Sequence, residues 1–293
     1  MTINQRFTMK VLITGATGQL GWELQRSAPS DTTVLAVDVT QLDITDADAV
    51  SAMVTIEAPD LIINCAAYTA VDKAEGDSAL AYAINQYGAE HLAKAAAANN
   101  AKLIHISTDF VFDGRQSSPY KPDAPANPLN VYGASKLEGE RAVLACLPSA
   151  IIVRTSWVYS SHGNNFVKTM LKLMAERDAL SVVSDQIGTP TYAYNLAKVI
   201  WQLNQQQNVT GIYHYTDSGV ASWYDFACAI QEEAIILGLL DRQIPIFPIP
   251  ASTYPTPATR PSYSVLDKQS LIFSLNIQSI HWRQPLRDML GML

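Results

Sequence analysis

Seven consecutive residues constrain this chain more than any others: Gly15-Ala16-Thr17-Gly18-Gln19-Leu20-Gly21, with a glycine at every third position. The apolar run Lys10 to Thr14 before them reads as a buried strand, and Gln19 to Ser27 after them as an amphipathic helix. Glycines at this spacing permit a tight turn, let a backbone approach a pyrophosphate and allow close packing of helix on strand. The helix start adds free N–H groups and the positive end of its dipole. Strand, glycine turn and helix in this order predict a dinucleotide site.

The alternation continues. Thr33 to Val37, Leu61 to Asn64, Lys102 to Ser107 and Ile151 to Arg154 read as strands. Asp46 to Glu57, Ala79 to Asn99 and Val131 to Leu147 read as helices between them. Strand and helix repeated in this way predict an α/β fold, a Rossmann-type doubly wound parallel sheet over residues 9–160. Beyond it, helices near Asn164–Glu176, Asn195–Gln205 and Trp223–Leu237 and strands near Leu180–Val183 and Gly211–Tyr215 are expected, with Gln205 to Gln207 a solvated loop. Residues 186–215 are expected to complete the sheet, and 161–185 with 216–293 to form a smaller C-terminal α/β substrate-binding lobe. The stretch carrying Pro245, Pro248, Pro250, Pro255, Pro257 and Pro261 cannot be regular helix or central strand. Residues 1–8 read as a disordered extension.

Twenty Lys+Arg against 27 Asp+Glu give a net charge of −7 with no basic run, which argues against nucleic acid or an anionic membrane as partner. No apolar run is long enough for a membrane span and no signal peptide is visible, so a cytoplasmic protein with a small-molecule partner is expected. Cys65, Cys146 and Cys228 lie far apart, and the five histidines, His91, His105, His162, His214 and His281, lack metal-ligand spacing. Each reads as a core or surface residue.

Asp38 stands at the end of the second strand, where a carboxylate accepts hydrogen bonds from ribose hydroxyls and repels a 2′-phosphate, which favours NADH over NADPH. Asp43 and Ile44 are placed to cap and sandwich an adenine, although Asp43 equally suits the start of the next helix. Tyr132 and Lys136, four apart on one helix, share a face. At about 6 Å and an effective dielectric of about 20, the lysine charge favours the phenolate by roughly 3 kcal/mol, or about two pKa units. That predicts a phenol usable as an acid/base near neutral pH.

Eight motifs in order now carry a resemblance over essentially the whole chain: Thr14–Gly21 (TGATGQLG), Asn64–Lys73 (NCAAYTAVDK), Ser107–Gly114 (STDFVFDG), Asn130–Lys136 (NVYGASK), Arg154–Tyr159 (RTSWVY), Gly163–Phe166 (GNNF), Asp185–Pro190 (DQIGTP) and Tyr254–Pro261 (YPTPATRP). With them the chain resembles the extended short-chain dehydrogenase/reductase family. The resemblance implies that Gly15, Gly18, Gln19, Leu20 and Gly21 hold the pyrophosphate, that Ala66, Ala67 and Tyr68, with Thr69 beside them, line the cofactor, and that Asn85 supports the active site. It implies Tyr132 as proton donor, Lys136 as its partner and a ligand of the nicotinamide ribose, and Thr108 as hydrogen-bond donor to the reacting oxygen. Asp109 and Trp157 would hold the sugar, and Asn165 and Arg260 the nucleotide diphosphate. The implied reaction is NADH- or NADPH-dependent reduction of the C4 keto group of dTDP-4-dehydro-L-rhamnose to dTDP-L-rhamnose, in a monomer or homodimer.

Some members dimerise around magnesium held by glutamates. Glu23 matches one of them, but Thr191 to Leu196 offers no second acid, so a bridging magnesium is doubtful. Two rivals are kept open at this point. A dehydratase or epimerase of the same family is disfavoured because Phe110 follows Asp109 where dehydratases carry glutamate, and a non-catalytic regulatory subunit has no need for Thr108, Tyr132 and Lys136.

Overall fold

The computed structural model describes residues 8–206 and 209–293, so residues 1–7 of the expected extension over 1–8 and the end of the Gln205–Gln207 loop lie outside the described residues. Strand β1 (Met9–Thr14) leads through the glycine turn into α1 (Gln19–Arg26). There follow β2 (Thr32–Val37), α2 (Ala47–Glu57), β3 (Leu61–Asn64), α3 (Val71–Ala74) and α4 (Ser78–Tyr82). A π-helical turn, Ala83–Gly88, joins α4 to α5 (Ala89–Ala98), and β4 (Lys102–Thr108), α6 (Val131–Cys146) and β5 (Ile151–Thr155) complete the first half.

The second half contributes β6 (Val158–Tyr159), α7 (Phe166–Glu176), β7 (Leu180–Val183), β8 (Ile187–Gly188), β9 (Thr191–Tyr192), α8 (Ala193–Gln205) and β10 (Gly211–His214). Last come β11 (Ala221–Ser222), α9 (Trp223–Ile236), β12 (Ile246–Ile249), α10 (Gln269–Leu275) and α11 (Arg283–Leu290). The main sheet is parallel, in the order β2-β1-β3-β4-β5-β10. The order reverses between β1 and β3, which opens a crevice at the strands' carboxyl ends, where ligands bind in open α/β sheets.

Near-continuous apolar strands are buried on both faces, as parallel sheets require. On one face Leu12, Ile62 and Ile152 pack against Val50 and Val54 of α2, Leu92 and Ala96 of α5 and Val143 of α6. On the other, Val11, Ile13, Ile63 and Val153 pack against Leu20 and Leu24 of α1 and Leu196 and Ile200 of α8. A separate core built from α7, α9, α11 and β7, with Met174, Phe226, Ile230, Trp282 and Leu286, holds the lobe together.

Two sequence expectations need correction, and the proline-rich stretch, which holds no α-helix or central strand, gains one short edge strand. The single helix expected over Ala79–Asn99 contains the π-turn, because Asn85 turns inward and Gly88 lies against the Ile44 side chain, which leaves no room for a Cβ. Gln205 is the last residue of α8 rather than loop, since the apolar stripe of that helix packs on the sheet up to Leu203. Within the proline-rich stretch, Ile246–Ile249 forms a strand in a two-stranded pairing with β7. Pro248 is tolerated there because an edge strand need not donate every N–H.

Candidate active site

The turn after β1 is built for a close approach. Gly15 adopts φ +70°, and a Cβ on it would come within 2.7 Å of the Ala66 nitrogen. Gly21 sits so close to the Gly15 carbonyl that no side chain fits. No side chain caps α1, so the N–H groups of Gln19, Leu20 and Gly21 have no partner within the helix. This donor set suits a dinucleotide pyrophosphate.

Around it, Asp38 Oδ1 accepts from Thr40 N at 2.9 Å and Thr40 Oγ1 at 2.6 Å, which holds the carboxyl below its ordinary pKa. Asp43 makes the same turn with Thr45, and the N-cap of α2 is Asp46, not Asp43. Ile44 is buried in the core beside Gly88. Ala66 N donates to Asn64 Oδ1, and Tyr68 donates through its hydroxyl to Asp77. Asn85, fully enclosed in the π-turn, accepts from Tyr68 N at 2.9 Å and donates to Tyr68 O and to Ser135 Oγ. It thereby ties the segment after β3 to α6. π-turns inside helices recur at functional sites.

Helix α6 carries Tyr132 and Lys136, and three local features set its position. Asn130 caps it, accepting from Gly133 N at 2.8 Å and donating to Thr259 O at 2.8 Å in the proline-rich segment. Gly133 lets the helix ride directly on the Phe110 carbonyl, and Gly139 does the same on the Asn85 carbonyl. A side chain at Gly133 would lift the helix off the segment that follows β4, and one at Gly139 would lift it off the π-turn.

Tyr132 meets the Phe110 ring edge-on, with centroids 5.5 Å apart. Its phenol is pushed up to about 12, first by desolvation, with the Thr108 hydroxyl pulling it back and the Asp109 charge adding to the rise. The expected lowering by Lys136 is corrected here. Lys136 Nζ instead reaches Ile106 O at 2.6 Å and His105 Nε2 at 3.3 Å, and its own burial pulls it down to about 8. A phenol with a raised pKa is fully protonated near neutral pH, the form a proton donor needs.

Thr108 and Asp109 lie at the carboxyl end of β4. Thr108 Oγ1 caps the turn Asp109–Val111, accepting from Phe110 N, and donates to Asp109 Oδ1 at 3.1 Å. Asp109 is 2% exposed, its carboxyl is pushed up to about 6 by burial against the opposing pull of the nearby Ser264 and Thr108 hydroxyls, and Oδ2 has no partner at full hydrogen-bond geometry. An orphaned buried oxygen of this kind suits a ligand hydroxyl.

The cleft above is lined by Phe110, Trp157, Ile187, Trp223, Arg260 and Ser264, so it draws on both halves of the chain. Trp157 has a left-handed backbone, φ +48°, and stacks on Trp223 with centroids 3.6 Å apart. For a bulky residue this conformation is strained, and such strain clusters at ligand sites. Arg260 forms a two-pronged pair with Asp72. Asn165 lies apart from this group: it caps α7 and donates to Gln19 Oε1 at 2.9 Å and Ser160 O at 2.7 Å, beside the glycine turn.

Glu23 is buried, with Oε1 on Ser160 and Oε2 on Arg26. Its carboxylate is therefore already neutralised, and among the described residues no group of three or more His, Cys, Asp and Glu is placed to hold a metal. No described helix is long and apolar enough to cross a membrane.

Sequence inspection missed Phe110, Trp223, Asp72 and the role of His105 beside Lys136. Phe110 and Asp72 stand inside quoted motifs, whereas Trp223 looked like nothing more than a helix start.

Residues 9–293 match the family model of the RmlD substrate binding domain. A dTDP-4-dehydrorhamnose reductase of Aggregatibacter actinomycetemcomitans is 44% identical over 95% of this chain and 97% of its own length. The enzyme of that name from Salmonella typhimurium is 40% identical over 96% and 97%. Among solved structures, a dTDP-4-dehydrorhamnose reductase of Clostridium acetobutylicum superposes with a TM-score of 0.92 at 42% identity, covering 97% of this chain and 99% of that one. The reductase of Bacillus anthracis, solved with NADP, gives 0.93 at 39%, covering 98% and 100%.

Proposed function

Since the chain belongs to the RmlD substrate binding domain family, we propose that it is an oxidoreductase that reduces the C4 keto group of dTDP-4-dehydro-L-rhamnose to dTDP-L-rhamnose with a nicotinamide cofactor. The observation that carries this reading is a buried, protonated phenol, Tyr132, close to the Thr108 hydroxyl and the Asp109 carboxyl, with its ring against Phe110 of the aromatic cleft.

The α1 N-terminus and the turn Gly15–Gly21 would hold the pyrophosphate, Asp38 the adenosine ribose, and Ala66 to Tyr68 the cofactor's inner edge. When bound, the reduced nicotinamide supplies a hydride to C4. Thr108, turning its hydroxyl from Asp109 Oδ1, orients the carbonyl oxygen by a hydrogen bond, and Tyr132 gives that oxygen its proton as negative charge develops there. Preorganised donors aimed at developing charge are the main contribution a protein makes to such a step. Asp109 accepts a hydrogen bond from a sugar hydroxyl, Trp157 packs on the sugar, and Arg260 takes the diphosphate.

Residues 9–160 with 186–215 form the cofactor half in this reading, and 161–185 with 216–293 the substrate lobe. The Asp38 carboxylate, ionised at neutral pH, favours NADH over NADPH. Glu23 is given no metal role, because Arg26 and Ser160 already occupy it. The test is NADH and NADPH oxidation with dTDP-4-dehydro-L-rhamnose, run beside dTDP sugars of other 4-keto configuration. Turnover confined to another configuration would overturn the substrate assignment.

A further inference from the structure

A row of polar side chains crosses the sheet under the active site. Thr14 of β1, Asn64 of β3 and His105 of β4 stand at matched register on neighbouring strands. Thr14 Oγ1 donates to Asn64 Oδ1 at 2.8 Å, Asn64 Nδ2 meets His105 Nδ1 at 2.9 Å, and His105 Nε2 meets Lys136 Nζ at 3.3 Å. All four residues are at most 2% exposed. Buried polar groups cost stability unless paired, and these four pair with one another in a continuous row.

The row has a direction. Ala66 N–H can only donate, and it points at Asn64 Oδ1 at 3.1 Å, which fixes the amide with its NH2 group toward His105. His105 Nδ1 is therefore the acceptor. Burial keeps the imidazole neutral, so its single proton sits on Nε2 and faces the Lys136 nitrogen. An N–H hydrogen-bonds a free amine but opposes an ammonium. Around Lys136 the other titratable groups are Cys65 from the end of β3, Tyr132 one turn back on α6, and Glu140 one turn on. Glu140 is already paired with Arg154, at 2.8 and 2.6 Å, and with Ser107.

We propose that His105 is a positioning residue for the reduction: its Nε2–H, oriented through Asn64 by the Ala66 N–H, governs both the placement of the Lys136 amine and the pH at which that amine gains its proton. This rests on the reading of Tyr132 and Lys136 given above, and extends it to two residues that touch neither substrate nor cofactor in that reading.

Two variants test it. His105→Gln can offer an amide oxygen to Lys136, and Asn64→Asp reverses the imidazole tautomer while keeping acceptors for Thr14 and Ala66; each stabilises the ammonium. The 13Cε–15Nζ NMR titration of Lys136 in labelled protein should move up by about one pH unit in both, with the alkaline limb of kcat moving by the same amount. The NMR readout needs no substrate, so it stands if the wild-type protein fails to turn over the 4-keto sugar, an outcome that overturns the proposed function instead. An unchanged Lys136 midpoint in the folded variants overturns the inference, as does a shifted midpoint with an unmoved kcat profile. Should one variant fail to fold, the other carries the test.

Discussion

Arg260 reaches Asp72 with both ends of its guanidinium, Nη1 to Oδ1 at 3.0 Å and Nη2 to Oδ2 at 2.7 Å, across 188 residues of chain. The pair joins the proline-rich segment to the short helix α3. Asp72 also accepts from Ala258 N, and Arg260 holds the Asp72 carboxyl below its usual range. A planar guanidinium held in this way is pre-oriented for phosphate oxygens, but its outer donors are already engaged. A diphosphate arriving at Arg260 must share or displace the carboxylate.

Arg260→Ala should therefore raise KM for the dTDP sugar more than it lowers kcat, because the lost contact serves ground and transition states alike. Asp72→Asn should lower that KM by freeing the guanidinium. Steady-state kinetics of the two variants decide the matter: a KM that rises in Asp72→Asn would mean that the carboxylate is needed to hold the arm.

Tyr132→Phe removes the proposed proton donor and little else, since the ring still packs on Phe110. Turnover should fall by about 10²- to 10⁴-fold. Cofactor affinity, followed by fluorescence titration, should stay near the wild-type value. Full activity in this variant would remove Tyr132 from the mechanism.

Asp38→Ala should shift cofactor preference toward NADPH, because the mutation removes the negative charge that opposes a 2′-phosphate. The ratio of kcat/KM for the two cofactors measures it directly. An unchanged ratio would indicate that Asp38 serves only its turn with Thr40.

Asp109 gives a pH prediction with a definite sign. Its folded pKa of about 6 lies above the ordinary 3.8, so the folded state holds the proton more tightly than the unfolded chain does. The group costs stability that grows as pH rises from about 4 to about 6 and is constant above that. Asp109→Asn should stabilise the fold at pH 8 by on the order of 3 kcal/mol, with the gain vanishing below about pH 4. Thermal melts at pH 8 and pH 4 check this, and they should be paired with a loss of affinity for the sugar.

Gly133→Ala should destabilise the protein by about 1–3 kcal/mol, since the new methyl meets the Phe110 carbonyl. Because the helix that carries Tyr132 and Lys136 would be lifted from the Phe110 carbonyl, kcat should fall in the same variant.

The amino-acid sequence by itself determined the parallel sheet and the glycine turn, and it put Tyr132 and Lys136 on one helix. Those properties follow from local patterns: apolar runs of strand length, glycines at fixed spacing, and Tyr132 and Lys136 one helical turn apart. Tertiary structure alone decided how the site is electrostatically set. Spacing on a helix suggested that Lys136 would acidify Tyr132, but burial against the end of β4 raises the phenol and lowers the amine, and Lys136 turns to His105 and Ile106. Likewise, Arg260 looked like a free phosphate ligand until folding brought Asp72 to it, and Trp223 looked like a helix start until it stacked on Trp157. Desolvation and pairing between residues remote in sequence depend on what lies within a few ångströms, which no local pattern records.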